Sequence, residues 1–544
     1  MTVTRVSVDS AGNQAQRGPL FFSYPSMSAD GRFVAFASGA ANLVPGDTNN
    51  NEDIFVRDLS TNTTTRVSVD SAGNQGNSRS SYSSISGDGR FVAFDAGVNI
   101  FVRDTIGNTT TSVSVDSAGN LGNSASSTPS ISANGRFVAF GSNATNLVPG
   151  DTNNTRDIFV RDTIGNTTTR VSVNSAGNQG NSGSSSAPSI SADGRFVAFT
   201  SDSNNLVPGD TNNSNDIFVR DLSTNTTTRV SVGSAGNQGN GASREPYISA
   251  DGRFVGFWSD ASNLVPGDTN NSIDVFVRDL STNTTARASV GSAGNQANGA
   301  SFDVSISSNG RFVAFRSDAS NLVPGDTNNN ADIFVRDTID NTTTRLSVSS
   351  TGDQATDSSF EVSISADGQK VAFSSRAANL VPGDTNSALD VFVADLTNTP
   401  SGTNNSPNII NGTPGNDNLT GTPGNDTISG LRGNDILNGG DGNDILNGGK
   451  GFDTLNGGLG NDILVGGAGN DVFVLGAGLG VDTISDFTKG QDTVQLINGL
   501  TFGQLSISPG TNGTLIKVAS SGEVLATLTG VAPNSIGPGD FFSV

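Results

Sequence analysis

The stretch GRFVAF, residues 31–36, decides the fold because it recurs. It begins at Gly31, Gly89, Gly135, Gly194 and Gly310, and returns as GRFVGF at Gly252 and GQKVAF at Gly368. The starts lie 58, 46, 59, 58, 58 and 58 residues apart, which makes seven units. A fixed period of this length is read before any local propensity, since it marks a repeat architecture. The second unit is short because it lacks the loop NLVPGDTNN that the other six carry.

Each unit reads as four strands. The first, such as PSIS at Pro129 to Ser132, runs into Asp-Gly or Asn-Gly, a hairpin signal because both residues tolerate positive φ. The second is RFVAF, apolar on both faces as a strand between packed sheets should be. The third is DIFVRD, Asp53 to Asp58. The fourth, TRVSV at Thr65 to Val69, alternates like a half-exposed outer strand. Four antiparallel strands repeated seven times predict an all-β, seven-bladed propeller over residues 1–397. TRVSV at Thr4 to Val8 precedes the first unit and VFVAD at Val391 to Asp395 lacks a fourth strand. Joining them closes blade seven. Three Phe per blade, such as Phe33, Phe36 and Phe55, read as core between blades. At GRFVAF and DIFVRD the units resemble TolB-type propeller repeats, a likeness that speaks to fold and leaves function open.

The long loops NLVPGDTNN and DSAGNQGNS fall on one face. Their near-identity from blade to blade favours a structural or multivalent binding role over an asymmetric catalytic site. GDTNNxxD offers oxygen ligands at Asp47, Asn49 and Asp53, with Asn able to take the left-handed turn. The set recurs at Asp151, Asn153 and Asp157, at Asp210, Asn212 and Asp216, at Asp268, Asn270 and Asp274, and at Asp326, Asn328 and Asp332. In blade seven, between Asp384 and Asp390, Ser387 replaces the second Asn. The loop resembles the later half of the Asp-rich calcium loops of some propellers, but Pro45 stands where their first ligand would be. Calcium binding and a plain Asx-turn are both open there.

A Pro/Ser/Asn-rich linker, residues 398–410, ends the propeller. Over residues 411–475 the period falls to nine. Asp417, Asp426, Asp435, Asp444, Asp453, Asp462 and Asp471 are evenly spaced, each with Gly two and five residues before it and Leu, Ile or Phe two after. From Gly439 the glycines include Gly439, Gly442, Gly448, Gly451, Gly457, Gly460, Gly466 and Gly469. A strict phase over seven units argues against a flexible linker. The pattern G-x-x-G-x-D-x-U-x resembles the RTX (hemolysin-type) calcium-binding nonapeptide. That resemblance implies a parallel β-roll in which two units make one turn, Asp417 stacks on Asp435 and Asp426 on Asp444, and about five Ca²⁺ lie between turns. One buried apolar residue per unit is a thin core, so the roll should need its metal to fold.

Residues 476–544 read as a small β cap. Asp482 resembles an eighth, offset nonapeptide, and Asp486 and Asp492 fit the D-F-x-x-G-x-D pattern that ends such arrays. DFFSV, 540–544, resembles the uncleaved signal of type I secretion substrates, and MTVTRVSVDS lacks the basic and apolar regions of a Sec-type signal peptide. Both point to an extracellular protein that uses a type I secretion apparatus.

Composition closes several routes. With 29 basic and 51 acidic residues the net charge is −22, which disfavours nucleic acid and anionic membranes. No amphipathic or apolar helix is present to insert as a pore-forming toxin would. Cys and His are both absent, which removes disulfides, thiol catalysis, Ser-His-Asp triads and His-based zinc sites. Of the 51 acids only Glu52, Glu245, Glu361 and Glu523 are Glu. The expectation is a non-catalytic calcium-binding protein whose propeller meets an extracellular glycan or protein surface. The alternative is a calcium-dependent hydrolase using carboxylates, with Glu245, Glu361 and the single Trp258 as its candidates.

Overall fold

The computed structural model describes residues 1–19, 23–184, 187–397, 408–421, 426–441, 443–497, 499–510, 512–519 and 522–543. Most of the predicted linker, Gly442 and Val544 of DFFSV lie outside the described residues. The chain divides into two compact units, Met1–Thr399 and Pro400–Val544, and no α-helix occurs among the described residues.

Unit one is a seven-bladed propeller of four-stranded antiparallel sheets. Blade one runs from the channel outward as Ser26–Met27, Phe33–Ser38, Asp53–Asp58 and Thr63–Arg66. In blade seven the outer strand is Thr2–Arg5, paired antiparallel with Asp390–Asp395 in the register Thr2 to Asp395 and Arg5 to Phe392. The predicted closure is therefore present. A second closure lies at the short-hairpin face, where the Ala366 N–H of blade seven donates to the Ala29 carbonyl of blade one at 2.9 Å.

The outer strand is shorter than TRVSV suggests. Thr63–Arg66 is the strand, and Val67 to Val69 leave it. The cause is local. The Val69 N–H donates back to the Val67 carbonyl at 2.9 Å, and Ser68 Oγ turns inward to Asp53 Oδ1 at 2.5 Å.

GRFVAF earns its recurrence in contacts. Phe36 and Phe55 are fully buried and stack at 5.8 Å, and the same pair recurs through Phe373 and Phe392. Arg32 forks onto Asp58, Nε to Oδ1 at 3.0 Å and Nη2 to Oδ2 at 2.6 Å, while its guanidinium covers the Phe33 ring. Gly89 of the next blade has φ +74° and lies against that ring, so a Cβ there would run into it. The Gly is fixed both by its turn and by the neighbouring blade.

Unit two is a two-sheet parallel roll. One sheet stacks Asn408–Asn411, Asp426–Ser429, Ile445–Lys450, Ile463–Ala468 and Asp482–Ile484; the other stacks Asn418–Thr420, Ile436–Asp441, Thr454–Leu459, Val472–Leu475 and Thr493–Leu496. Residues eighteen apart are in register, as with Leu446 beside Leu464. The residue after next from each Asp forms the core: Ile428, Leu437, Leu446, Leu455, Leu464 and Phe473 are fully buried. Both sheets then run on: Val524–Thr529 joins the first beside Asp482–Ile484, and Phe541–Ser543 joins the second beside Thr493–Leu496. Val494, Leu496, Ile516 and Leu528 extend the same core.

Candidate metal centre

The nonapeptide Asp form two rows, one per edge of the roll. In the first, the Asp417 N–H donates to Asp435 Oδ1, that of Asp435 to Asp453 Oδ1, that of Asp453 to Asp471 Oδ1 and that of Asp471 to Asp492 Oδ1, all at 2.8 to 2.9 Å. In the second, the Asp426, Asp444 and Asp462 N–H groups donate to Oδ1 of Asp444, Asp462 and Asp482. The structure thus stacks the residues that the nonapeptide resemblance pairs. Asp482 and Asp492 take the next place in each row although their spacing departs from nine. Asp486 does something else: its two oxygens accept the N–H groups of the consecutive Gly466 and Gly467 at 2.9 and 2.8 Å.

One carboxylate oxygen of each stacked Asp is therefore spoken for by backbone. The other is turned inward. Oδ2 of Asp435, Asp453, Asp462 and Asp471 is buried and accepts no hydrogen bond. The space it faces is oxygen-lined. A Cβ placed on Gly448 would stand 2.5 Å from Asp453 Oδ2 and 2.7 Å from the Gly466 carbonyl oxygen of the next turn. Gly439, Gly457 and Gly466 face Asp444, Asp462 and Asp471 in the same way. Gly451, Gly460 and Gly469 hold φ of +144°, +137° and +157°, which brings the turn close enough to stack on its neighbour.

Buried carboxylates without a counter-charge hold their protons. Burial first, then the neighbouring Asp471 and Asp435, pushes Asp453 up to about 6. Burial and Asp462 push Asp482 up to about 7. A hard cation with oxygen ligands removes both causes, and Ca²⁺ accepts this mixture of carboxylate and carbonyl oxygens in flexible geometry. No group of three or more acidic side chains converges on one point among the described residues, so backbone carbonyls must complete each shell.

The propeller loops are built differently. Gln75 Nε2 donates to Asp47 Oδ1 at 2.6 Å and to Asp53 Oδ2 at 3.0 Å, and Arg66 Nη1 stands 3.6 and 3.8 Å from the same two oxygens. Arg170, Arg229, Arg287 and Arg345 repeat this against the equivalent pairs. Asn49 is spent on an Asx-turn, accepting the Asn51 N–H at 2.8 Å. A guanidinium and an amide already hold the oxygens that a cation would need, so the loop geometry favours the Asx-turn over calcium. Arg66 and Gln75 carried no signal at the loop itself, since they follow it in sequence by about twenty residues.

Glu245 and Glu361 do meet, in the propeller channel, and Trp258 Nε1 donates to Glu245 Oε2 at 3.1 Å. Asp303 joins them, a residue that sequence reasoning passed over.

Residues 404–484 match the family model described as the RTX calcium-binding nonapeptide repeat, in four overlapping copies at 404–437, 411–446, 438–473 and 447–484. Among curated proteins none matches the chain. Solved structures similar to it share little sequence. The TolB structure from Agrobacterium tumefaciens is 15% identical over 63% of this chain and 97% of its own, with a TM-score of 0.35. Hydrazine synthase of Kuenenia stuttgartiensis is 13% identical over 69% and 96%, at 0.37. TolB from Acinetobacter baumannii is 16% identical over 63% and 75%, at 0.33. The two Asp rows thus belong to an array of RTX calcium-binding nonapeptide repeats, and Ca²⁺ is the ion this roll takes.

Proposed function

We propose that the chain is an exported, calcium-dependent binding protein. Its roll stays unfolded inside the cell, passes through a type I secretion apparatus and folds on external Ca²⁺; its propeller then meets an extracellular ligand without catalysing its conversion. The observation that carries this is the file of inward, unpartnered Oδ2 atoms at Asp435, Asp453, Asp462 and Asp471. Calcium sites of extracellular modules have dissociation constants of roughly 10⁻⁴ to 10⁻³ M. At equality with that constant one site adds about 0.4 kcal/mol, and at a hundredfold excess about 2.7 kcal/mol. Several coupled sites therefore separate the low-calcium interior from millimolar surroundings. Hydrogen exchange of the full chain tests it. In chelator, peptides from 409–496 should exchange freely while blade peptides stay protected; millimolar Ca²⁺ should protect the former and leave the latter unchanged. Protection of 409–496 in chelator would refute calcium-driven folding. A hydrolase is the second reading, favoured by the meeting of Glu245, Asp303 and Glu361 in one cavity; turnover of an ester or glycoside that is lost in Glu361→Gln would select it.

A further inference from the structure

The seven units are nearly identical except at one level of the channel. Three residues before the end of each innermost strand stand Tyr24, Tyr82, Thr128, Ala187, Glu245, Asp303 and Glu361, seven equivalent positions with five residue types. All of them line a cavity of about 310 Å³ at the end of the channel nearest the long loops. Six of the seven hold positive φ, from 41° to 75°, and at Thr128, Glu245, Asp303 and Glu361 this coincides with a break in the strand register, such as that between Arg244 and Tyr247. The break turns the side chain out of the sheet and toward the axis.

The chain concentrates its rare residues here. Its three Tyr all line the cavity, as do two of its four Glu, and its one Trp holds Glu245. Tyr24 and Tyr82 form an aromatic wall with ring centroids 4.6 Å apart. Asp303 is paired with Arg316 at 3.4 Å. Glu245 and Glu361 have no ion-pair partner among the described residues, and the Glu361 carboxylate accepts no hydrogen bond there. Burial first, then Asp303 and Glu245, raises Glu361 well above the usual carboxylate range. Arg316 acts on both carboxylates and Arg244 on Glu245, each from beyond ion-pair distance. A cavity that keeps two carboxylates without a paired cation beside π faces favours a cation over an anion. The carboxylates do not converge as a metal cluster among the described residues, whereas a protonated amine needs only one or two carboxylates and gains from the tyrosine faces.

We infer that this cavity binds the protonated amine of a small organic molecule, held by Glu361 and Glu245 against Tyr24 and Tyr82. The inference rests on reading the propeller as the binding part of the chain. It is tested on the full chain in millimolar Ca²⁺ by isothermal titration with n-butylammonium, with n-butanol as the uncharged control. Saturable binding of the ammonium, no binding of the alcohol, and at least a tenfold loss in Glu245→Gln/Glu361→Gln are expected, with thermal unfolding confirming that the variant is folded. Equal binding by parent and variant, equal binding of amine and alcohol, or no amine binding overturns it; the last result also covers capture of the carboxylates by Ca²⁺. Hydrogen exchange of 409–496 in the same samples reads the roll separately, so a failed cavity is distinguishable from a failed calcium switch.

Discussion

Glu361 shows what a single side chain at the channel does to stability. Burial and two acidic neighbours raise its proton affinity, and Glu245 and Asp303 are raised too, each by burial first. Tyr24 and Arg316 are the other titratable groups near Glu361. A carboxyl whose folded-state value exceeds its unfolded one binds protons more tightly when folded. Its contribution is complete below the unfolded value and is lost as pH rises through the folded value. Acidification from neutral toward the ordinary carboxylate range should therefore stabilise the propeller. The opposing groups act lower: bidentate Arg hydrogen bonds hold Asp58, Asp104, Asp221 and Asp279 below the usual range and Asp162 at about 2. Their stabilisation disappears only as pH falls from the unfolded carboxylate value toward those. Glu361→Gln should raise propeller stability at pH 7 by about 0.5 to 2 kcal/mol, the range of single stabilising substitutions, and flatten the pH slope. Thermal unfolding at pH 5, 6 and 7 measures both; an unchanged slope would mean that Glu361 is ionised and solvated. The same scale applies in the roll. Gly448→Ala would put a methyl between Asp453 Oδ2 and the Gly466 carbonyl. It should remove one Ca²⁺ from the stoichiometry found by equilibrium dialysis.

At the scale of elements, the strands were legible and their partners were not. GRFVAF and DIFVRD announce their strands because both faces are apolar and both ends carry turn residues, and Asp53–Asp58 is found where its sequence places it. Which Asp stack was legible through the nonapeptide resemblance, because two units per turn, which it implies, put residues eighteen apart side by side. VSV at 67–69 misled because alternation suits a strand, while the turn at Val69 and the Ser68 hydroxyl bond are side-chain chemistry that periodicity does not record. The Arg66–Gln75 clamp was hidden for a related reason: it joins an outer strand and a later loop to an earlier loop, and only the blade geometry brings them together. Asp303 was missed because it is one of 47 Asp, although comparing the seven units at that one position would have exposed it. The clamp makes a prediction of its own. Asp53 is fully buried, and Asp53→Ala strips Ser68 and Gln75 of one acceptor and Arg66 of one ion-pair partner at once. Removing one member of a buried ion pair costs roughly 3 to 5 kcal/mol. Propeller stability should fall by that order, while calcium stoichiometry by equilibrium dialysis stays at the parent value. A lower stoichiometry would return the loops to the metal sites.

The whole propeller depends on a contact between residues almost four hundred apart in sequence. Thr2–Arg5 fills the outer place in blade seven, the Val6 N–H reaches the Val391 carbonyl at 2.7 Å, and Ser7 Oγ holds Asp390 Oδ1 at 2.5 Å. Ser7 and Asp390 repeat, across the join, what Ser68 and Asp53 do within one blade. Arg5 likewise stands 3.4 Å from Asp384 and 3.8 Å from Asp390, the clamp of every other long-loop blade. The join is thus chemically an ordinary blade, and the ring has no weaker seam by design of its residues. Removing it is another matter. Deleting residues 1–8 takes Val3, Val6 and Val8 from the core and leaves Asp390 buried without Ser7 or Arg5. Each Val alone contributes about 1.5 to 3 kcal/mol of burial. The edge of Asp390–Asp395 would also be free to pair with another chain. The deletion should lower propeller stability by several times the effect of Asp53→Ala, and the protein should associate at concentrations where the intact chain does not. Chemical denaturation and light scattering on the two chains decide it. Equal midpoints would mean that blade seven stands on three strands and that the ring needs no closing strand to hold.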